Sequence, residues 1–293
     1  MVKVCLIGLG KTGKEIAKMI FKQRNMKIVS AMCSPGSKKK HMDLGEIIGI
    51  QEIGIKIEGI NKLEECLLHC KPDVVVDFST PEATIKNSKI ICQMGINLVV
   101  GTTGFSESEF KQIKDTVTYN KTGMVYAPNI TLGVNVLMIL TKLASILLDN
   151  YDFQITEIHH KHKKDIPSAT ALKIVSEIED GLVYLGKNIS EEKIPINSVR
   201  AGGVVGKHEV LIAGENDKIT ISHESFSRKV FAAGAIHAIN FIKDKVGFYE
   251  MSDVLSLSKI INDLYTSDNA ATNNNFKDMI VADIQANSKL SNL

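Results

Sequence analysis

The 293-residue sequence has no tryptophan, six prolines and, among its 35 basic residues, only three arginines: Arg24, Arg200 and Arg228. So few arginines are a poor supply for gripping a phosphate backbone. The formal charge of +2, from 35 basic and 33 acidic residues, creates no global field that would draw nucleic acid or a membrane surface. Cysteine is sparse too. Cys5, Cys33, Cys66, Cys70 and Cys92 are odd in number, lie in the first third and never form CxxC, which reads as a reducing, cytoplasmic protein. No apolar run reaches the roughly 20 residues of a membrane helix. The most apolar stretch, Leu132 to Leu148, is interrupted by Asn135, Thr141 and Lys142 and reads as a core helix. The N-terminal Met1 to Gly8 enters a strand directly, without a basic n-region or cleavage site. What is present, 44% hydrophobic and 23% charged residues, excludes disordered, collagen-like and fibrous chains and fits one large or two modest domains.

From Val2 to Asn129, short apolar runs alternate with helix-period segments. The runs Val2–Ile7, Ile28–Met32, Val74–Phe78, Leu98–Val100 and Met124–Ala127 lack strict polar alternation, as strands covered on both faces do. Ile16/Met19/Ile20 and Leu63/Cys66/Leu67/Cys70 carry helical spacing, and Ser106–Glu109 has the form of a capping box. This predicts an α/β, Rossmann-type doubly wound parallel sheet over 1–129. A second α+β domain with a mixed or antiparallel sheet is expected over 130–235, including a hairpin from His208–Ala213 and Lys218–His223. A C-terminal helix over 236–265 returns to the first domain. Residues 266–293, Asn-rich and then weakly amphipathic, form a tail to which no role is assigned.

Gly8-Leu-Gly10-Lys11-Thr12-Gly13 follows the first strand and opens a helix, the context a dinucleotide fingerprint requires. Gly8 permits the tight turn, Gly10 lets the backbone approach a pyrophosphate, and Gly13 allows close helix–strand packing. At the end of the second strand no carboxylate awaits the ribose hydroxyls of NAD. Ser34, Ser37 and the lysines Lys38 to Lys40 stand there instead, so of NADPH and NADH the residues lean to NADPH.

Thr156 to Thr170 holds three of the eight histidines and three lysines within six consecutive positions, then Pro-Ser-Ala-Thr at a helix start. Loop cations and helix N–H groups of this kind build an anion pocket. Adjacent histidines in a lysine-rich loop suit a metal poorly, and no metal is expected.

These motifs bring the chain to a family. Gly8–Gly13, Asp77–Pro81, Gly101–Gly104, Ala127–Asn129 with Gly133–Asn135, Glu157–Ala171, Arg200–Gly203 with Gly206–His208, and His223 with Ser227–Arg228 and Phe231–Gly234 stand in the order seen there. From about Val2 to Leu255 the sequence resembles 4-hydroxy-tetrahydrodipicolinate reductase, long called dihydrodipicolinate reductase, of the diaminopimelate–lysine pathway. The resemblance implies that Phe78, Ser79, Thr80, Gly101, Thr102, Thr103, Ala127, Pro128 and Asn129 surround the nicotinamide ring. It implies His159 as general acid, Lys163 as the lysine assisting protonation, and His160, Ser168, Ala169, Thr170 and Thr103 as binders of a dicarboxylate substrate. It further implies a homotetramer assembled through the second domain. Two departures stand out. Lys11-Thr12 replaces the family's longer, Arg-containing glycine loop, and Ala169 stands where glycine is common. If position 169 needs a positive φ, Ala is strained there. Ala169 therefore keeps open an amino-acid or diamino-acid dehydrogenase on the same scaffold, and a non-catalytic nucleotide sensor is the alternative of another class.

Overall fold

The computed structural model of the chain describes residues 1–186 and 194–256. The first half runs β1 (Val2–Ile7), α1 (Lys11–Phe21), β2 (Met26–Cys33), α2 (Leu44–Ile48), β3 (Ile57–Gly59), α3 (Leu63–Cys70), β4 (Val74–Asp77), α4 (Pro81–Gln93), β5 (Asn97–Val100), α5 (Glu107–Tyr119) and β6 (Gly123–Tyr126). The second runs α6 (Leu132–Leu147), β7 (Asp152–His159), α7 (Ala169–Tyr184), β8 (Ile196–Arg200), β9 (Gly206–Ala213), β10 (Lys218–Ser225), α8 (Lys229–Ile242), β11 (Gly247–Glu250) and α9 (Met251–Val254).

Seven strands form one parallel sheet in the order β11-β6-β5-β4-β1-β2-β3. Strand order reverses between β1 and β4, and a crevice opens there at the carboxyl ends of the strands. The unbroken apolar runs have a plain cause. Val4 and Leu6 face a core with Ile16, Ile20 and Ile239, whereas Cys5 and Ile7 face the opposite core with Leu63, Leu67 and Ile91. Each fully buried Ile or Leu contributes roughly 2 kcal/mol by leaving water, so both faces must stay apolar. Ser106 caps α5 with the full reciprocal capping box that its spacing predicts.

Four strands form the second, mixed sheet in the order β10-β9-β7-β8. β7 and β8 run parallel through the α7 crossover, and β9 and β10 make the expected antiparallel hairpin. α6 and α7 pack on one face through Val134, Leu137, Ile174 and Ile178.

The helix expected over 236–265 is corrected. α8 begins at Lys229, so a boundary at 235/236 falls inside it, and it ends at Ile242. Gly247, at φ +121°, breaks from helical geometry, and β11 then adds a parallel edge strand beside β6. Its alternation serves both faces: Phe248 meets Phe110 at 5.4 Å between ring centres, and Tyr249 meets Phe241 at 5.1 Å. Residues 257–265 and the tail 266–293 lie outside the described residues. Among the described residues no helix is long and apolar enough to cross a membrane.

Candidate active site

The rim of the first sheet is shaped by close backbone approaches. Gly8 lies at φ +91°, and a Cβ there would stand 2.7 Å from the carbonyl carbon of Phe78, at the end of the neighbouring β4. A Cβ on Gly13 would collide with the Gly8 carbonyl, whereas one on Gly10 would meet open space. Gly10 caps α1 without a side-chain hydrogen bond, and the first turn carries no acidic residue. The helix N–H groups therefore face an open surface with their positive dipole, a fit for the pyrophosphate of a dinucleotide. Lys11, Lys14 and Arg228, from the start of α8, line the adjacent hollow. Lys39 folds back so that its Nζ donates to the Leu9 carbonyl, while Ser34 and Lys38 are exposed at the end of β2.

Further along the rim, Asp77 is fully buried and its carboxylate accepts from the Ser79 N–H at 2.9 Å, the Ser79 hydroxyl at 2.5 Å and the Asn87 amide at 2.9 Å. Burial raises the Asp77 pKa, and those hydrogen bonds oppose the rise. Ser79 thus spends its hydroxyl on holding the loop. Thr102 is buried with its hydroxyl 3.1 Å from that of Thr84, while Thr80, as the α4 N-cap, and Thr103 are exposed. Ala127 is buried, and the Phe78 ring lies over Gly101.

On the second sheet the site is a continuation of the core. β7 buries every other residue, so Phe153, Ile155, Glu157 and His159 share the inner face: two apolar side chains, then a carboxylate and an imidazole. β9 does the same with Ile212, Val210, His208 and Gly206. Pairing aligns Glu157 with His208, His208 with His223, and His159 with Arg200. The Glu157 side chain is 0% exposed. Its Oε2 meets His159 Nδ1 and accepts from Arg200 Nη1 at 3.0 Å. Its Oε1 accepts from Arg200 Nη2 at 2.7 Å and from the Ser168 N–H at 3.2 Å. His208 Nε2 lies 3.3 Å from the Ser168 hydroxyl, and its ring stands edge-on to His159 at 5.1 Å.

Electrostatics separate these groups. Burial raises the Glu157 carboxyl, but the Arg200 hydrogen bonds and the His159 contact outweigh it and hold the pKa at about 2. Burial pulls His208 down to about 3, helped by the charge of His159, so it stays neutral. Burial also lowers His159; Glu157 opposes that, while Lys163 and Arg200 add to it. His160 is lowered by burial and by the charges of Arg228 and Lys11, and His223 by burial. Glu157, His159 and His208 bring one donor atom each within 4.8 Å of one another. Both carboxylate oxygens are held by a guanidinium, so the trio fits proton handling better than a cation.

His159, His160, Lys163, Thr170, His208 and Arg228 meet around a cavity of about 240 Å³, closed on the other side by Pro128 and Asn129 from the end of β6. Lys163 Nζ sits 2.8 Å from Asp165, and Thr170 donates to Asn129 Oδ1 at 2.6 Å, joining the start of α7 to the loop after β6. Lys161, His162 and Lys164 of the same run are exposed or partly exposed. Ser168 is buried as the N-cap of α7, accepting from the Ala171 N–H at 3.2 Å. Ala169 is the first residue of that helix and is absent from the positive-φ positions, so the strain considered for it does not arise. It is exposed and borders a second hollow with Asn129, Met138 and Lys173. Glu157, Arg200, His208 and His223 appear in the sequence motifs, but only the strand register brings them together, and Arg228 joins them from the start of α8. Lys39, rather than Lys38, is the lysine that reaches the glycine loop.

A parallel sheet with a nucleotide-shaped rim, facing a cationic cavity on a smaller mixed sheet, defines an oxidoreductase scaffold that uses a nicotinamide dinucleotide. Residues 2–130 match the family model described as Dihydrodipicolinate reductase, N-terminus, and residues 133–255 match Dihydrodipicolinate reductase, C-terminus. The chain belongs to the dihydrodipicolinate reductase family and is an oxidoreductase. It is 39% identical over 272 residues to a 4-hydroxy-tetrahydrodipicolinate reductase of Methanocaldococcus jannaschii, covering 89% of this chain and 99% of that one. It is 36% identical over 273 residues to the enzyme of the same name from Methanococcus aeolicus, covering 88% and 100%. Among solved structures it is similar to a dipicolinate-bound dihydrodipicolinate reductase from Paenisporosarcina sp. TG-14, with a TM-score of 0.68, 28% identity, and 85% and 97% of the two chains covered. An amine dehydrogenase from Mycobacterium smegmatis, at 12% identity and a TM-score of 0.57 over 84% and 93% of the chains, shares the fold alone.

Proposed function

We infer that the protein reduces 4-hydroxy-tetrahydrodipicolinate to tetrahydrodipicolinate, the 4-hydroxyl leaving as water, in the diaminopimelate route to lysine. The observation that carries this reading is one cavity in which His159, backed by a buried carboxylate, and Lys163 face Asn129 of the nucleotide-binding sheet. A nicotinamide held by Gly101 to Thr103 and Ala127 to Asn129 would supply the hydride. His159 delivers the proton that the reduced ring must take up, from the Nε2 atom left free by Glu157. Lys163 and the N–H groups of α7, whose first turn holds no acidic residue, bind the substrate carboxylates. Arg228 adds positive charge to the same pocket, and His160 adds a polar ring. NADPH is preferred over NADH: the end of β2 offers Ser34 and three lysines and no carboxylate. A homotetramer fits the exposed apolar row Leu132, Val136, Leu140, Leu143 and Leu147 on α6, and five free thiols fit a cytoplasmic setting.

The test couples purified protein to the condensation of pyruvate with aspartate semialdehyde and follows nicotinamide absorbance with NADPH and NADH in parallel. Oxidation that requires the coupled substrate, faster with NADPH, is the expected result. Silence with both cofactors despite measured binding would overturn the reading.

A further inference from the structure

Glu157 has no opening toward the cavity, but His159, which it contacts, lines that cavity. Its carboxylate is acceptor-only, so His159 Nδ1 must carry the hydrogen between them, and the ring's Nε2 becomes the atom that exchanges protons with the cavity. The carboxylate itself is fixed. Arg200 grips both oxygens at 2.7 and 3.0 Å and is anchored in turn to the carbonyls of Asp165 at 2.6 Å and Val199 at 2.9 Å. A further contact, from the Ser168 N–H at 3.2 Å, ties Oε1 to the turn that opens α7.

We propose that Glu157, clamped by Arg200, is a positioning residue that sets the tautomer and orientation of His159 and locks that ring to the carboxylate-binding turn of α7. The proposal rests on the reductase reading and deepens it. One side chain thereby couples the proton donor to the anion-binding helix end, so that both move as a unit relative to the substrate.

The charges facing His159 come from every neighbouring element: Glu157 on its own strand, Lys163 in the following loop, Arg200 on β8, and His208 on β9, beside His223 of β10. Glu157 is the one anion among them. Removing it takes away the anion in contact with the ring, leaving Asp165 a step away and paired with Lys163 at 2.8 Å, so the protonated donor is lost at lower pH.

The experiment measures kcat and KM of wild type, Glu157→Gln and Glu157→Asp between about pH 5 and 9, where a histidine acid titrates. It adds nicotinamide-cofactor affinity and the NMR titration of His159 in the cofactor-free protein. For Glu157→Gln, kcat is expected to fall at least about tenfold. The alkaline limb and the His159 titration should both move to lower pH, with cofactor affinity kept within about twofold. Glu157→Asp, which keeps the charge at shorter reach, should restore part of each effect. Unchanged titration and limb, whatever happens to kcat, would overturn the proposal and leave Glu157 as packing. If Glu157→Gln does not fold, the ¹⁵N shifts of His159 in the wild type decide: a neutral ring protonated at Nδ1 is expected, and one protonated at Nε2 would overturn the proposal. A wild type that reduces nothing sinks the reductase reading instead, and the NMR titration still tests Glu157.

Discussion

Along the rim of the first sheet, the surface offered to a ligand is mostly backbone. Gly8, Gly10 and Gly13 shape the loop, and the buried Asp77 is spent on holding Ser79 in place. At the second sheet the surface is side chain: four histidines, a lysine and Arg228 around a small cavity, with the buried Glu157 and Arg200 behind His159. Both regions are suited to anions. The first is suited by helix N–H groups that any sequence has, provided nothing bulky intervenes. The second is suited by charges that need partners before they can be buried. The first region is therefore sensitive to an added methyl group, and the second to a lost charge or a lost proton.

The largest effect that sharpens this contrast falls on the second region. His159→Ala should lower turnover about a hundredfold to ten-thousandfold, the range a positioned general acid supplies. Cofactor affinity should stay near wild type, because the ring lies on the other sheet. Lys163→Ala should raise KM as well as lower kcat, since it loses a carboxylate contact. Steady-state kinetics beside fluorescence titration of the cofactor separate the two. Full activity in both variants would break the division of labour between the two sheets.

Gly8→Ala probes the first region. The new methyl would press on the Phe78 carbonyl in a left-handed backbone conformation. Strain of about 1 kcal/mol and overpacking of about 1–3 kcal/mol together predict a loss of roughly 2–4 kcal/mol in stability. Cofactor affinity should collapse with it while the environment of His159 is kept. Urea denaturation and cofactor titration measure both. A stable variant with unaltered affinity would mean that the loop does not need its close approach to β4.

The same contrast explains which features are legible in the amino-acid sequence. Backbone constraints leave a local mark. The glycine loop after β1, the capping box at Ser106 and the hairpin from β9 to β10 are each visible within a short local stretch, and they stand where the spacing puts them. The His/Lys run is legible by composition. The Glu157–Arg200 clamp is not, because its partners are 43 residues apart and meet only through the β7–β8 register. One local signal exists: Glu157 and His159 continue the i, i+2 face begun by the core residues Phe153 and Ile155, and a carboxylate placed there must be paired. β11 is not legible either, because four residues joining a sheet edge after a whole intervening sheet carry too little periodicity. Nor does a glycine common at position 169 in similar proteins imply a positive φ. Here Ala169 simply starts α7.

The smallest effect concerns pH and tells whether the buried row behaves as one electrostatic unit. His208 titrates at about 3 in the folded chain against an ordinary value of 6.5. Below pH 6.5 the unfolded chain takes up a proton that the folded chain refuses, so stability is full above that pH and falls as acid is added. The slope is at most about 1.4 kcal/mol per pH unit for this one group, down to its folded value. Glu157 acts lower: with its folded pKa at about 2 against 4.5, its contribution is present above 4.5 and is lost as pH falls toward 2. Other buried histidines add to the first phase, so the test is a difference. Urea midpoints of wild type and His208→Gln, compared near pH 7.5 and near 5.5, should diverge by about 1 kcal/mol, with the variant losing less. Parallel curves would mean that His208 is hydrated in solution, and the row from His223 to Glu157 would then lack the dry setting that makes Glu157 count.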